Sequence, residues 1–191
     1  MDLAALVFSS GWASGVNAYA TVAVLGFLSR FTDSDFVPGA LGRTDVLVVA
    51  VAMFLVELVV DKIPWFDSIW DGLSTVVRPT VGAWVAWQLA GDSSSVDHAM
   101  LTALGGSAAL ASHGVKAGVR LAVNTSPEPF SNAVVSTTED VGVITIVSVA
   151  VAHPWWALGI TTSLLIAGAV TVVLLWQTIS RARRRRRSTT R

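Results

Sequence analysis

The stretch from Trp155 to Arg191, WWALGITTSLLIAGAVTVVLLWQTISRARRRRRSTTR, decides how the chain is read. An apolar run from Trp155 to Leu175 is followed by seven arginines between Arg181 and Arg191. About 20 apolar residues suffice to cross the hydrocarbon core of a bilayer, and arginine collects on the cytoplasmic side because it resists transfer across it. The pair reads as a last membrane span with a cytoplasmic tail at 181–191, drawn to anionic lipid headgroups.

Composition agrees with a lipid bilayer as the main partner. The 191 residues are 53% hydrophobic and 14% charged, with a mean hydropathy of +0.64, and a water-soluble domain of that make-up would expose too much apolar surface. The formal net charge of zero conceals two unlike parts, because seven of the 13 basic residues sit in the tail while all 13 acids lie ahead of it. Asp2 stands where a signal peptide needs basic residues, so the first apolar stretch is expected to remain. Without cysteine there is no disulfide, thiolate metal site or cysteine nucleophile.

Working back from the tail, apolar runs predict six helices near 5–28, 45–62, 68–90, 97–123, 131–152 and 155–179. Residues 1–180 thus form one all-α integral-membrane bundle, and an even count puts the N-terminus on the side of the tail. The third helix carries Asp67, Asp71 and Arg78 ahead of Pro79, so segment 64–78 is alternatively interfacial or re-entrant and kinked at the proline, leaving five spans plus a hairpin. Trp84, Trp87, Trp155 and Trp156 fall near expected outer ends, as an aromatic belt would, and so do His98 and His153.

Setting residue n against n + 63 pairs Leu58, Val60, Pro64, Ser68 and Thr75 with Leu121, Val123, Pro127, Ser131 and Thr138. Each unit would be a helix, a proline-containing turn and a second helix. An even number of crossings makes such a weak repeat parallel and brings both turns to the inner face. The column that holds Glu57 in one unit holds Arg120 in the other.

Ionisable groups within a bilayer are costly unless paired or hydrated, which makes them functional candidates. Here they fall on helical faces: Glu57 with Asp61; Asp67, Asp71, Thr75 and Arg78; His113, Lys116, Arg120 and Asn124; Asn132, Ser136 and Asp140, with Glu139 adjacent. In the first helix Gly11, Gly15 and Ala18 offer a small-residue packing face, and Asn17 is an amide that needs partners. Two readings stay open: the charges only staple helices together, or they line a wet cavity open to the cytoplasm. His113 is a poor metal ligand so close to the Lys116 ammonium.

Catalytic signatures are sparse. Asp67-Ser-Ile-Trp-Asp71-Gly72 has the acids and glycine of two-metal enzymes that transfer alcohol phosphates, but its aspartates are four apart and no second acidic pair follows. Carboxylates suit Mg²⁺, so a metal-dependent enzyme acting on lipid phosphates is the alternative. There is no P-loop, G-x-S-x-G elbow, H-E-x-x-H pair or dinucleotide fingerprint. The tail's attachment to a span favours lipid headgroups over nucleic acid, and no nucleic-acid partner is expected.

Several stretches carry a family resemblance: Gly11-Trp-Ala-Ser-Gly-Val-Asn17-Ala-Tyr19, Glu57-Leu-Val-Val-Asp61-Lys-Ile-Pro64-Trp-Phe-Asp67-Ser68, Thr75-Val-Val-Arg78-Pro79, Asn124-Thr-Ser-Pro127-Glu-Pro129-Phe-Ser131-Asn132 and Glu139-Asp140. Nearly the whole chain up to the tail resembles a family of bacterial polytopic membrane proteins, domain of unknown function 4126. The resemblance implies a membrane location and no activity.

The expectation is a small transporter or channel-like protein of the inner membrane, with its C-terminus in the cytoplasm. Asn17, Glu57, Asp61, Asp67, Asp71, Arg78, Lys116, Arg120, Asn132, Glu139 and Asp140 would bind a small polar or ionic solute near the inner face. No cofactor is expected, Mg²⁺ entering only under the enzyme reading. A non-catalytic membrane scaffold is the third reading, and the glycine-faced first helix is compatible with a homo-oligomer.

Overall fold

The computed structural model describes residues 2–32, 36–63, 66–123 and 129–189, without the side chains at 67–68, 122–123, 129–132, 179 and 182–189. The described residues form seven α-helices and no strand: α1 Asp2–Val16, α2 Ala18–Phe31, α3 Thr44–Val60, α4 Phe66–Ala90, α5 Ser95–Val123, α6 Pro129–Ala152 and α7 Pro154–Thr189. Two stretches are long and apolar enough to cross a membrane, Ala133–Ala152 and Pro154–Thr178.

The single helix expected over 5–28 is two helices. Asn17 interrupts it in an extended conformation (φ −148°, ψ 102°), and its side chain accepts a hydrogen bond from the Ala20 amide, so it caps the start of α2. The chain turns back there. At the α1 start, Asp2 accepts a 2.6 Å hydrogen bond from the Trp155 indole at the start of α7. At the α2 end, Ser29 donates to Pro38 O and Arg30 to Thr44 Oγ1, while Phe36 shares a cavity with Asp2, His153 and Trp155. Both outer ends of α1 and α2 therefore lie at one end of the bundle, and Asn17 is the tip of a hairpin inserted from it.

The five remaining helices run from end to end. α3 and α5 descend beside the hairpin towards Asp61 and Arg120, which hydrogen-bond each other there, and α4 and α6 return. α7 descends last, continuing as helix to Thr189. The N-terminus and the arginine tail thus lie at opposite ends, not together as six crossings would require. Pro79 does not break α4, which is continuous from Phe66 to Ala90; the interrupted helix is the first one, at Asn17. The Pro64 and Pro127 turns lie outside the described residues.

Helix boundaries keep the 63-residue offset. α3 ends at Val60 and α5 at Val123; α4 begins at Phe66 and α6 at Pro129. Local signals set the remaining turns. Gly91 takes φ +51° after α4, the left-handed conformation glycine adopts without a Cβ penalty. Ser94 and Asp97 then cap α5, the Asp97 amide bonding to Ser94 Oγ and that hydroxyl to Asp97 Oδ2. Pro154 opens α7, where its missing N–H costs nothing.

The centre is built on small residues, as the first-helix glycines suggested. A Cβ on Gly11 would stand 2.5 Å from Gly105 O, and one on Gly105 would stand 2.8 Å from Gly82 O, so α1, α5 and α4 meet almost backbone to backbone. That approach lets Ser14 Oγ donate to Arg78 O and Ser112 Oγ to Trp12 O. By contrast α3 packs mainly on α2 and barely touches α4. A cleft of about 340 Å³ lined by Tyr19, Val49, Val81 and Trp84 lies between α2, α3 and α4.

Candidate functional site

Breaking a helix frees carbonyls at one end and amides at the other. At Asn17 both ends are met by charge. The last carbonyls of α1 face cations, since Lys116 Nζ donates to Val16 O at 2.8 Å and Arg78 Nη1 reaches Gly15 O at 3.5 Å. The first turn of α2 faces an anion, because Asn17 Nδ2 donates to Asp140 Oδ1 at 2.9 Å. Each charge has the sign that the helix dipole favours at that end.

Arg78 is the hub of the upper half. Its Nη2 pairs with Glu57 Oε1 at 2.6 Å and its Nη1 with Asp71 Oδ1 at 3.1 Å. Nη1 also lies 2.9 Å from His113 Nδ1. A guanidinium only donates, so Nδ1 is the acceptor and the ring is neutral, with its proton on Nε2. That proton faces Thr75 Oγ1 at 3.1 Å, and Thr75 in turn donates to Asp71 O. His113 is thereby occupied on both nitrogens.

Lys116 and Arg120 organise the lower half. Lys116 Nζ lies 3.2 Å from Asp61 Oδ2, 3.3 Å from Glu139 Oε2 and 3.9 Å from Glu57 Oε1. Arg120 Nη2 meets Asp61 Oδ2 at 3.0 Å and Glu139 Oε2 at 2.5 Å, and its Nη1 donates to Asp61 O. Glu57 and Arg120, partners in the repeat column, do not pair with each other; each finds its counter-charges on other helices.

Nine of the eleven anticipated residues join this network: Asn17, Glu57, Asp61, Asp71, Arg78, Lys116, Arg120, Glu139 and Asp140. The side chains of Asp67 and Asn132 lie outside those described. Most of the described side chains of the cluster are buried. Glu57 is 0% exposed, Arg78 1%, Arg120 2% and Asp140 7%, and isolated charges buried so deeply would cost several kcal/mol each.

Sequence reasoning left His113, Thr75 and Ser136 out of the site although they share its helical stripes. It could not find the carbonyls of Gly15 and Val16, since every residue has a carbonyl and only the break exposes these two. Asn17→Ala removes both the α2 cap and the partner of Asp140, and is expected to cost about 2–4 kcal/mol. Asn17→Asp restores the cap but adds a carboxylate beside Asp140, so its melting temperature should start low at neutral pH and recover as the pH falls and the repulsion is titrated away. Thermal melts of the purified protein against pH check both; an Asp variant insensitive to pH would contradict the contact.

Comparison with curated proteins and with solved structures yields no match. A family profile, described as Domain of unknown function (DUF4126), matches residues 4–175, a span that holds the hairpin, the glycine contacts and every charged residue of the network. The chain belongs to that family.

Proposed function

We propose that this is a polytopic membrane protein of five crossings and one re-entrant hairpin, which moves a small polar or ionic solute past the hairpin tip. The observation that carries the reading is the broken helix at Asn17, with cations on its carbonyl end and a carboxylate on its amide end. Discontinuous helices that meet ions at mid-bundle are a recurring device of membrane transport.

Inverted polarity supports the membrane. Val48, Val59, Val76, Trp156 and Trp176 are 60–73% exposed while ion pairs occupy the interior, the reverse of a protein stabilised by water. Helices α4 and α5 are less apolar than the long apolar stretches of α6 and α7, yet the charges they carry at Asp71, Arg78, Lys116 and Arg120 are paired inside the bundle. With α1 at 15 residues and α2 at 14, each half of the hairpin is about 22 Å long, too short to cross alone. On this reading the tail sits in the cytoplasm among anionic lipid headgroups, and the N-terminus lies across the inner membrane from it.

Two other readings fare less well. A lipid-phosphate enzyme needs Asp61 and Asp71 free for Mg²⁺, but Lys116 and Arg120 face the first and Arg78 the second. A scaffold explains burial. It explains the charge count less well, because among the described side chains five carboxylates (Glu57, Asp61, Asp71, Glu139, Asp140) gather about three cations in direct contact (Arg78, Lys116, Arg120), with Lys62 acting on Asp140 only at longer range. Stapling alone asks for balance, since each unpaired buried charge is costly.

The absence of native cysteine makes topology direct to measure. A cysteine added ahead of Met1 and one at Ser93 should both react with an impermeant maleimide on intact cells, while one at Ser188 should react only after permeabilisation. Labelling of the N-terminal cysteine together with Ser188 would overturn the hairpin topology. In proteoliposomes screened across protons, alkali cations and small anions, wild type should exceed empty vesicles for at least one solute. Asp61→Asn and Arg120→Gln should lower that flux about tenfold or more, the scale of one lost interaction of ~1.4 kcal/mol. Leak-level flux throughout would remove transport.

A further inference from the structure

Asp140 differs from every other carboxylate in the cluster. Glu57, Asp61, Asp71 and Glu139 each touch an arginine or lysine. Among the described residues the one hydrogen-bond partner of Asp140 is the neutral amide of Asn17, and its Oδ2 is buried with no hydrogen bond. One turn earlier on the same face of α6, the Ser136 hydroxyl is 0% exposed and also has no partner. Two buried oxygens without partners thus sit one helical turn apart on α6.

We propose that Asp140 is a proton-binding site, taking up one proton on Oδ2 and releasing it again. Both states have a place to rest. Ionised, the carboxylate accepts from Asn17 Nδ2 and lies at the positive end of α2. Protonated, the new hydroxyl is a donor, and Ser136 Oγ, one turn earlier on the same helix and without a partner, is the acceptor assigned to it. The balance is simple: a solvent proton adds to the carboxylate, one unit of negative charge disappears, and no covalent bond other than O–H forms or breaks.

The surrounding groups make Asp140 the carboxylate that can do this. On α3, Glu57 and Asp61 are held by cations, as is Asp71 on α4 by Arg78. On α5, Arg78-bound His113 is neutral while Lys116 and Arg120 remain committed to Asp61 and Glu139. On α6, Glu139 points to those same two cations, and Lys62 beyond α3 donates to Leu58 O. α1 contributes only Asn17. Protonating any of the paired acids gives up an ion pair, whereas protonating Asp140 gives up none and removes a buried charge.

This deepens the transport reading and rests on it for its purpose, but the site itself can be tested without flux. Purified wild type, titrated with acid and followed by difference infrared spectroscopy, should gain one protonated-carboxyl C=O band. The band should vanish in Asp140→Asn, change frequency in Ser136→Ala and persist in Asp71→Asn. Should Asp140→Asn not fold, wild type grown with ¹³C-carboxyl aspartate should show the band shifted by the isotope. A band that survives Asp140→Asn, or that ignores labelled aspartate, overturns the proposal. So does a titration midpoint that moves when Na⁺ replaces a large organic cation, since the site would then bind metal. A titrating band without flux would remove transport and leave the site; flux without the band would remove the site alone.

Discussion

A charge buried away from water must meet an opposite charge or a full set of hydrogen bonds, and that constraint organises this protein. Among the described side chains, three cations and four carboxylates are buried, with Glu139 partly buried beside them, in a bundle whose outside is largely apolar. Paired side chains alone do not satisfy them. The break at Asn17 adds backbone partners, presenting carbonyls of α1 to Lys116 and Arg78 and the first turn of α2 to Asp140. An intact helix over 5–28 would have consumed those backbone groups in its own ladder.

The same network explains how α3 is held. Of its residues only Leu47, Ala50 and Glu57 are buried, and its face towards α4 is largely open. Glu57 and Asp61 at its inner end attach it to Arg78, Lys116 and Arg120. Helix α2 packs its apolar face on α6 and α1, α3 is joined to the body mainly through α2 and its ion pairs, and α1, α4 and α5 are locked by glycine contacts that leave no room for a Cβ.

Helical periodicity made much of the site legible in the sequence. Steps of three and four residues put Asp71 and Arg78 on one face of α4 and His113, Lys116 and Arg120 on one face of α5, and the structure uses those faces. The 63-residue offset, faint in residue identities, reappears in the ends of α3 and α5. What could not be read was the break. Asn17 has apolar and small residues on both sides and neither proline nor glycine as its immediate neighbour, so a hydropathy reading passes straight through it. Pro79 misled in the opposite sense: a proline costs α4 one hydrogen bond, and tight packing beside Ser14 and Gly106 keeps the helix continuous. Cross-helix partners were equally invisible, because Glu57 meets Arg78 through tertiary packing that no spacing encodes.

The account stands on Glu57 and Arg78 being a single buried pair that ties α3 to the body. A double-mutant cycle with Glu57→Gln and Arg78→Gln, read from the unfolding free energy of the purified protein, measures it directly. A coupling of about 2 kcal/mol or more is predicted, in line with buried pairs whose loss strands a charge. A coupling within about 0.5 kcal/mol of zero, the range expected for independent sites, would contradict it.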